Sequence, residues 1–365
     1  MLRAKCNNAD GQKSREVMKI GVLLLQMGGP ANLAEVQTFL YNLFSDPYII
    51  QLPSFMKPFQ NQFADFVSKR RAPKVAKLYS EIGGASPILF ETQAQATALA
   101  RKLNKRGDAE YITYIAMRYS NPRMAETIRL VEADNLDELY VLPLYPQYSL
   151  ATSGSSVIEA KEYLETSGLV KKLKVHYIEA WYDQPAYIDL IVKRIMTEMQ
   201  ALESEGVSAS KMHILFSAHG LPVSYVAAGD PYQQQVLATV AKVMGRLPLQ
   251  RYSIAYQSRV GPVKWLQPAT DKEIKRLVRE ESVRNIIVVP ISFVGDHIET
   301  LSEINIEYKH YAQSLGIERF RVTRLPKANP LLIEALASVI NPVILSEAKD
   351  PSHCEEGEAI PQRCA

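Results

Sequence analysis

Short apolar runs bounded by glycine and proline recur along the chain, and most are followed by a longer stretch with apolar positions at helical spacing. The first run, 19–27, reads as a buried strand that stops at Gly28-Gly29-Pro30, after which Asn32 caps a helix over about 33–43. Further strands are predicted over 111–117, 139–144 and 174–178. A helix over about 89–104 precedes the first of these, and Asn121-Pro122 opens another. Residues 179–184 read as the crossing to a second half. That half begins with a long amphipathic helix over about 185–203 and continues with strands over 214–218, 252–256, 285–291 and about 320–324. Helices ending near 244, over about 270–280, after 291 and near 329–344 complete it. Each half alternates strand and helix with about four strands, which predicts two α/β domains with parallel sheets and a cleft between them. The expected boundaries are 19–180 and 181–345. Residues 1–18 read as a flexible polar extension, with Met18 a candidate start, and 346–365 as a disordered, glutamate-rich tail.

Residues 44–72 break this rhythm. Phe44, Leu52, Pro53, Phe55, Met56, Pro58, Phe59, Phe63 and Phe66 interleave with Lys57, Lys69, Arg70 and Arg71. An apolar surface rimmed by cations suits a membrane surface or the closure over an apolar ligand. The plain structural alternative is a helical hairpin packed on the core.

Composition narrows the class. A chain of 365 residues fits about two domains. At 47% hydrophobic and 22% charged it fits a globular protein with a sizeable core. A net charge of +3 is too small to argue for nucleic acid. No run approaches the ~18 apolar residues of a spanning helix, and the run 22–25 is too short for a signal-peptide core, so a cytoplasmic protein is expected. Cys6, Cys354 and Cys364 all fall in the two tails. They exclude a disulfide framework in the body and cannot supply the four thiolates of an iron–sulfur cluster.

The candidate chemistry gathers at two strand exits of the second half: His219 in LFSAHGLP, and His297 between Asp296 and Glu299. Open α/β sheets bind ligands at the carboxyl ends of their strands, and imidazole exchanges protons near neutral pH. A histidine packed in a turn is the bland alternative. Neither an H-E-x-x-H nor a G-x-S-x-G pattern is present. Glu299, Glu303 and Glu307 are spaced four apart, which puts them on one broad helical face, better aligned by a wider π-type turn. A solvated acidic face is the alternative. Histidine, carboxylates and an apolar rim suit proton removal from an apolar molecule. They also suit handling of a borderline cation such as Fe(II), with His219 and Glu299 the candidate metal contacts.

The stretches LLLQMGGP (23–30), FLYNLFSDP (39–47), KRRAPK (69–74), IGGASPI (82–88), YPQYS and TSGSS (145–156) share one family order with those of the second half. The latter are LFSAHGLP with GDPY (215–232), YQSRVGP with WLQPATD (256–271), and VVPISFVGDHIETLSEINIEY (288–308). Together they resemble the ferrochelatase family, whose members insert ferrous iron into a porphyrin. The pairing of SAHGLP with DHIETL is the most specific part. The resemblance implies two Rossmann-like domains of the chelatase type with protoporphyrin IX in the cleft, ferrous iron as the second substrate and no prosthetic group. It implies His219 as the base that takes pyrrole protons, Glu299 as its partner, and His297, Glu303 and Glu307 as a proton or iron path. Met27, Arg71, Ser86, Arg118, Tyr119, Ser258, Trp265 and Phe293 match positions that line the pocket or contact propionates. Gly295 stands where a serine is common and Asn305 where an aspartate is common. Four cysteines hold a [2Fe–2S] cluster in some members; this chain lacks them, so no cluster is expected.

The apolar stretch 52–66 is expected to give weak peripheral contact with a membrane. The Met27-Gly28-Gly29-Pro30 turn and this lip resemble those of enzymes that use protoporphyrin IX, whose two propionates on an apolar ring suit the lip, rather than the tetracarboxylate coproporphyrin III. A non-catalytic tetrapyrrole carrier is the rival from another class; it would not need His219 and Glu299 together. Nothing in the chain speaks to oligomeric state.

Overall fold

In the computed structural model, residues 17–340 are described, apart from 249, 259, 260 and 262. The expected tail at 346–365, nearly all of the N-terminal extension and the end of the helix expected to reach 344 lie outside the described residues. The first half runs β1 (Lys19–Gln26), α1 (Val36–Ser45), α2 (Gln60–Glu81), α3 (Ile88–Asn104), β2 (Glu110–Met117), α4 (Met124–Ala133), β3 (Glu138–Pro143), α5 (Ser155–Thr166) and β4 (Lys174–Tyr177). The second runs α6 (Pro185–Ser204), β5 (Met212–His219), α7 (Val223–Ala227), α8 (Tyr232–Met244), β6 (Arg251–Gln257), α9 (Thr270–Glu281) and β7 (Asn285–Pro290). A π-helix (Glu299–Tyr308), α10 (Lys309–Ser314), β8 (Arg319–Val322) and α11 (Pro330–Ser338) complete it.

The strands form two four-stranded sheets, ordered β2-β1-β3-β4 and β6-β5-β7-β8, with every pairing parallel. Helices cover both faces of such sheets, so the central strands are apolar on both sides. This accounts for the unbroken runs at Val22–Leu25 and Ile214–Phe216, all buried. In each sheet the strand order reverses beside the central strand, between β1 and β3 and between β5 and β7. That reversal opens a crevice at the carboxyl ends of the strands.

One apolar core joins the halves. It runs from Ile20, Val22 and Leu24 through Trp181, Tyr187 and Ile191 to Ile214, Phe216 and Val289. Buried polar groups lock the same seam. Trp181 Nε1 donates to the Pro143 carbonyl (2.9 Å), and the Tyr187 hydroxyl donates to the Ile291 carbonyl (2.8 Å). The last helix also returns to the first half: Arg106, just after α3, donates to the carbonyls of Ala337 (2.6 Å) and Ile340 (2.7 Å).

Three local details refine the sequence reading. Asn32 does cap a helix, its side chain accepting from Ala34 N (3.0 Å) and Glu35 N (3.2 Å), but the first turn is 3-10 before α1 begins. Asn121-Pro122 does not open α4, which starts at Met124. The Pro122 carbonyl is taken by Met117 N (2.7 Å), so these residues fold back onto the strand end instead. Residues 44–72 form a hairpin of α1 and α2 joined by a 3-10 turn (Ser54–Phe59). Its inner side packs Val36, Phe39, Leu40, Phe44 and Tyr79 together, and Ile298 of the second half joins them. Its outer side leaves Phe55 77%, Phe59 58% and Phe66 65% exposed. Hairpin and apolar lip are therefore both present, on opposite faces.

Candidate active site

β5 carries His219 to its carboxyl end, in register with Gln257 of β6. The chain turns away at once through Gly220, whose N–H donates to the Gln257 carbonyl at 2.8 Å. A Cβ at Gly220 would lie 2.5 Å from that oxygen and 3.2 Å from the Trp265 ring, so only glycine permits this exit. The buried Tyr232 hydroxyl reaches the His219 carbonyl (2.9 Å) and the Ser292 hydroxyl (2.7 Å). It thereby ties the ends of β5 and β7 together at the crevice.

The loop after β7 supplies the rest. The buried Phe293 ring meets His219 edge-on at 6.2 Å between centroids and His297 at 4.5 Å. Nδ1 of His297 is paired with Oε2 of Glu299. Burial alone would raise the Glu299 carboxyl, but its pairing with His297, with a smaller contribution from His219, outweighs this and holds it at about 2. Across from it stands Tyr79 at the end of α2. Its phenol is pushed up by burial and by the Glu299 charge, and it hydrogen-bonds Ser86. A carboxylate of the second half thus faces a phenol and a hydroxyl of the first.

The three glutamates lie on the π-helix and step outward. Glu299 is partly buried and Glu307 exposed. Glu303 between them accepts from Ser258 N (3.0 Å), the Ser258 hydroxyl and the Tyr308 hydroxyl (2.7 Å). Asn305 donates to the Thr300 carbonyl at 2.7 Å, five residues back, and so satisfies an acceptor within the wide turn.

The remaining expected pocket residues divide by what holds them. Met27 is half-buried at the exit of β1, and Trp265 packs over Gly220 next to His219. Arg71 on α2 lies over the Phe44 ring at 5.5 Å and meets no carboxylate among the described residues. Ser258, with φ +63°, is committed to Glu303. Arg118 and Tyr119 are drawn inward: Asp46 accepts from Arg118 Nε (2.8 Å) and the Tyr119 hydroxyl (2.6 Å), and Glu159 accepts from Arg118 Nη1 (3.1 Å). Their polar groups are engaged with these first-half carboxylates. No cluster of three or more His, Cys, Asp or Glu side chains that could hold a metal ion is present among the described residues. His219 and Glu299, the candidate metal contacts, lie close enough to interact electrostatically.

Two site residues were not singled out from sequence. Tyr79 lies in no motif and only the folded hairpin brings it to Glu299. Asp230 lies in the GDPY stretch, which was a usable signal. Its carboxylate accepts from the Ser149 hydroxyl (2.9 Å) and Leu150 N (2.8 Å) of the first half and from Tyr232 N (3.0 Å) of the second.

Two parallel sheets, one shared core and a histidine–carboxylate cluster at the switch point of the second sheet define a two-lobed chelatase-type α/β enzyme. SirB from Bacillus subtilis with Fe3+ shares this fold with a TM-score of 0.50 at 12% identity, over 88% of this chain and 94% of that one. The sequence model of the family described as ferrochelatase matches residues 19–343. Ferrochelatase of Picosynechococcus sp. is 46% identical over 324 residues, spanning 88% of this chain and 82% of that relative. Ferrochelatase of Geotalea daltonii is 43% identical over 326 residues, spanning 89% and 98%. The chain belongs to the ferrochelatase family and is an enzyme that inserts metal into a porphyrin.

Proposed function

We propose that this chain inserts ferrous iron into protoporphyrin IX and that His219 accepts the two pyrrole protons in turn. The observation that carries this reading is the arrangement of His219, Phe293, His297 and Glu299 at the exits of β5 and β7, with Glu299 held ionised. A free porphyrin is flat and carries two N–H protons, so the ring must buckle and lose them before metal enters. Cleft walls that fit the buckled ring better than the flat one lower that barrier. His219 at the strand exit serves as general base, and an ionised Glu299 favours the imidazolium that results. The step from Glu299 through Glu303 to exposed Glu307 supports a path along which protons leave. Iron enters as a substrate rather than a resident cofactor, and no iron–sulfur cluster takes part. Arg71, with no carboxylate partner among the described residues, suits a propionate better than Arg118, whose charge is spent on Asp46 and Glu159.

The apolar lip supports protoporphyrin, and it also supports weak peripheral attachment to a bilayer. No helix among the described residues is long and apolar enough to cross one. The test of the substrate is anaerobic Fe(II) insertion followed by absorbance, with protoporphyrin IX and coproporphyrin III run side by side. Faster turnover of protoporphyrin is expected. Faster turnover of coproporphyrin overturns the substrate assignment, and tight binding without turnover of either overturns the catalytic one.

A further inference from the structure

Glu91, on α3 of the first half, reaches across the seam and holds the loop that delivers His297. Its side chain is only 9% exposed, and both carboxylate oxygens are used on the far side. Oε2 accepts from the backbone N–H of Asp296 at 2.6 Å, and Oε1 is paired with Lys327 Nζ at 2.9 Å. Lys327 also pairs with Asp296 Oδ2 at 2.6 Å, and its own N–H donates to the Val294 carbonyl at 2.8 Å. Lys327 takes φ +52°, a conformation uncommon for a residue with a Cβ, as expected of a residue fixed by its surroundings. Gln95, one turn along α3, donates to the carbonyls of Val294 (3.2 Å) and Lys327 (3.3 Å). Residues 294–296 are therefore clamped by one helix face immediately before His297.

Gly295 makes the clamp possible. A Cβ built there lies 2.5 Å from Glu91 Oε2, a distance that real Cβ contacts essentially never show. Glycine at 295 and glutamate at 91 are thus complementary: any side chain at 295 pushes the carboxylate off the Asp296 N–H. Beyond the clamp, His297 N donates to the Thr300 hydroxyl (3.1 Å), so the loop position passes directly into the first turn of the π-helix that bears Glu299.

We propose that Glu91 is a positioning residue for metal insertion, which sets His297 against Glu299 by holding the 294–296 backbone, and that Gly295 exists to admit its carboxylate. This rests on the proton-handling role given above to His297 and Glu299. A misplacement of about 1 Å at reacting groups is able to cost on the order of 100-fold in rate.

The test is a double-mutant cycle on the whole enzyme, with steady-state Fe(II) insertion, porphyrin binding and thermal unfolding measured for each variant. Gly295→Ala in the parent should lower kcat on the order of 10-fold or more, with KM for porphyrin within about two-fold. Glu91→Ala should do the same. In the Glu91→Ala background, Gly295→Ala should cost little further, because the atom it strikes is gone. Glu91→Gln, which keeps an acceptor for Asp296 N–H, should recover part of kcat. Equal cost of Gly295→Ala with and without Glu91 overturns the proposal, as does unchanged kcat in folded Glu91→Ala. If His297→Ala and Glu299→Gln themselves leave insertion intact, the catalytic reading has failed, which is a separate outcome.

Discussion

The His297 imidazole lies against the Glu299 carboxylate, Nδ1 to Oε2, in a partly buried loop where an unpaired carboxyl would prefer to be neutral. Burial pushes Glu299 up and its pairing with His297 pulls it down by more, to about 2 from an ordinary 4.5. The native state therefore binds this proton less readily than the unfolded chain does. Its contribution to stability is full above about pH 4.5 and is lost as pH falls toward about 2. Unfolding by urea at a series of pH values, for the parent and Glu299→Gln, measures this. The stability difference between them should shift against the parent as pH falls from about 4.5 toward about 2. A difference that stays constant down to pH 2 would show that His297 does not hold the charge.

His219→Ala should remove metal insertion while leaving the fold and porphyrin binding in place. The Tyr232 hydroxyl bonds the His219 backbone carbonyl, not the ring, so the link between β5 and β7 survives the substitution. The ring itself meets Phe293 only edge-on at 6.2 Å. Loss of a general base costs on the order of 10²- to 10⁴-fold in kcat. Anaerobic turnover near the parent rate would rule out the assignment, and porphyrin titration by fluorescence quenching checks that the cleft is still formed.

Strand-and-helix alternation was legible because buried parallel strands are apolar on both faces and stop at glycine or proline, as 214–222 does. His219 was legible for the same reason: it is the titratable group where an apolar run ends. The wide turn that carries Glu299, Glu303 and Glu307 was legible only as one option for a four-residue spacing. What escaped depends on partners far apart in sequence. The partner of Arg118, Asp46, lies 72 residues away and only the hairpin brings it to the guanidinium. Tyr79 and Glu91 carry no local pattern, and each matters only because the second half lies across from it.

Arg118→Ala should act on stability before it acts on substrate. The Asp46 side chain is 4% exposed and that of Glu159 16%, so Asp46 would lose its counter-ion while buried and Glu159 would keep only Arg123, at 4.0 Å. Burial already raises the Glu159 carboxyl, with Arg118 and Arg123 opposing it; without Arg118 it rises further. Removing one partner of a buried pair costs about 3–5 kcal/mol. Thermal unfolding should therefore show a clear loss, with KM for porphyrin little changed. A large rise in KM at unchanged stability would place Arg118 on the substrate instead.

Phe55, Phe59 and Phe66 share the exposed side of the lip with Lys57, Lys69 and Arg70. Lys69 is paired with Asp65 at 2.7 Å, whereas Lys57 and Arg70 meet no carboxylate among the described residues. Two free cations beside three exposed rings suit an anionic bilayer surface, where the rings enter the interface and the charges stay at headgroup level. Burying one phenylalanine contributes on the order of 1.5–3 kcal/mol, so two rings account for about a hundredfold in partition or more. Flotation with liposomes containing anionic lipid should show a bound fraction that falls sharply in Phe55→Ser with Phe59→Ser, and more gently with added salt. Because these rings point away from the packed side of the hairpin, Fe(II) insertion into detergent-solubilised porphyrin should change far less than flotation. Unchanged flotation would assign the lip to the porphyrin alone, and a matching loss of insertion would then confirm that the rings serve the cleft.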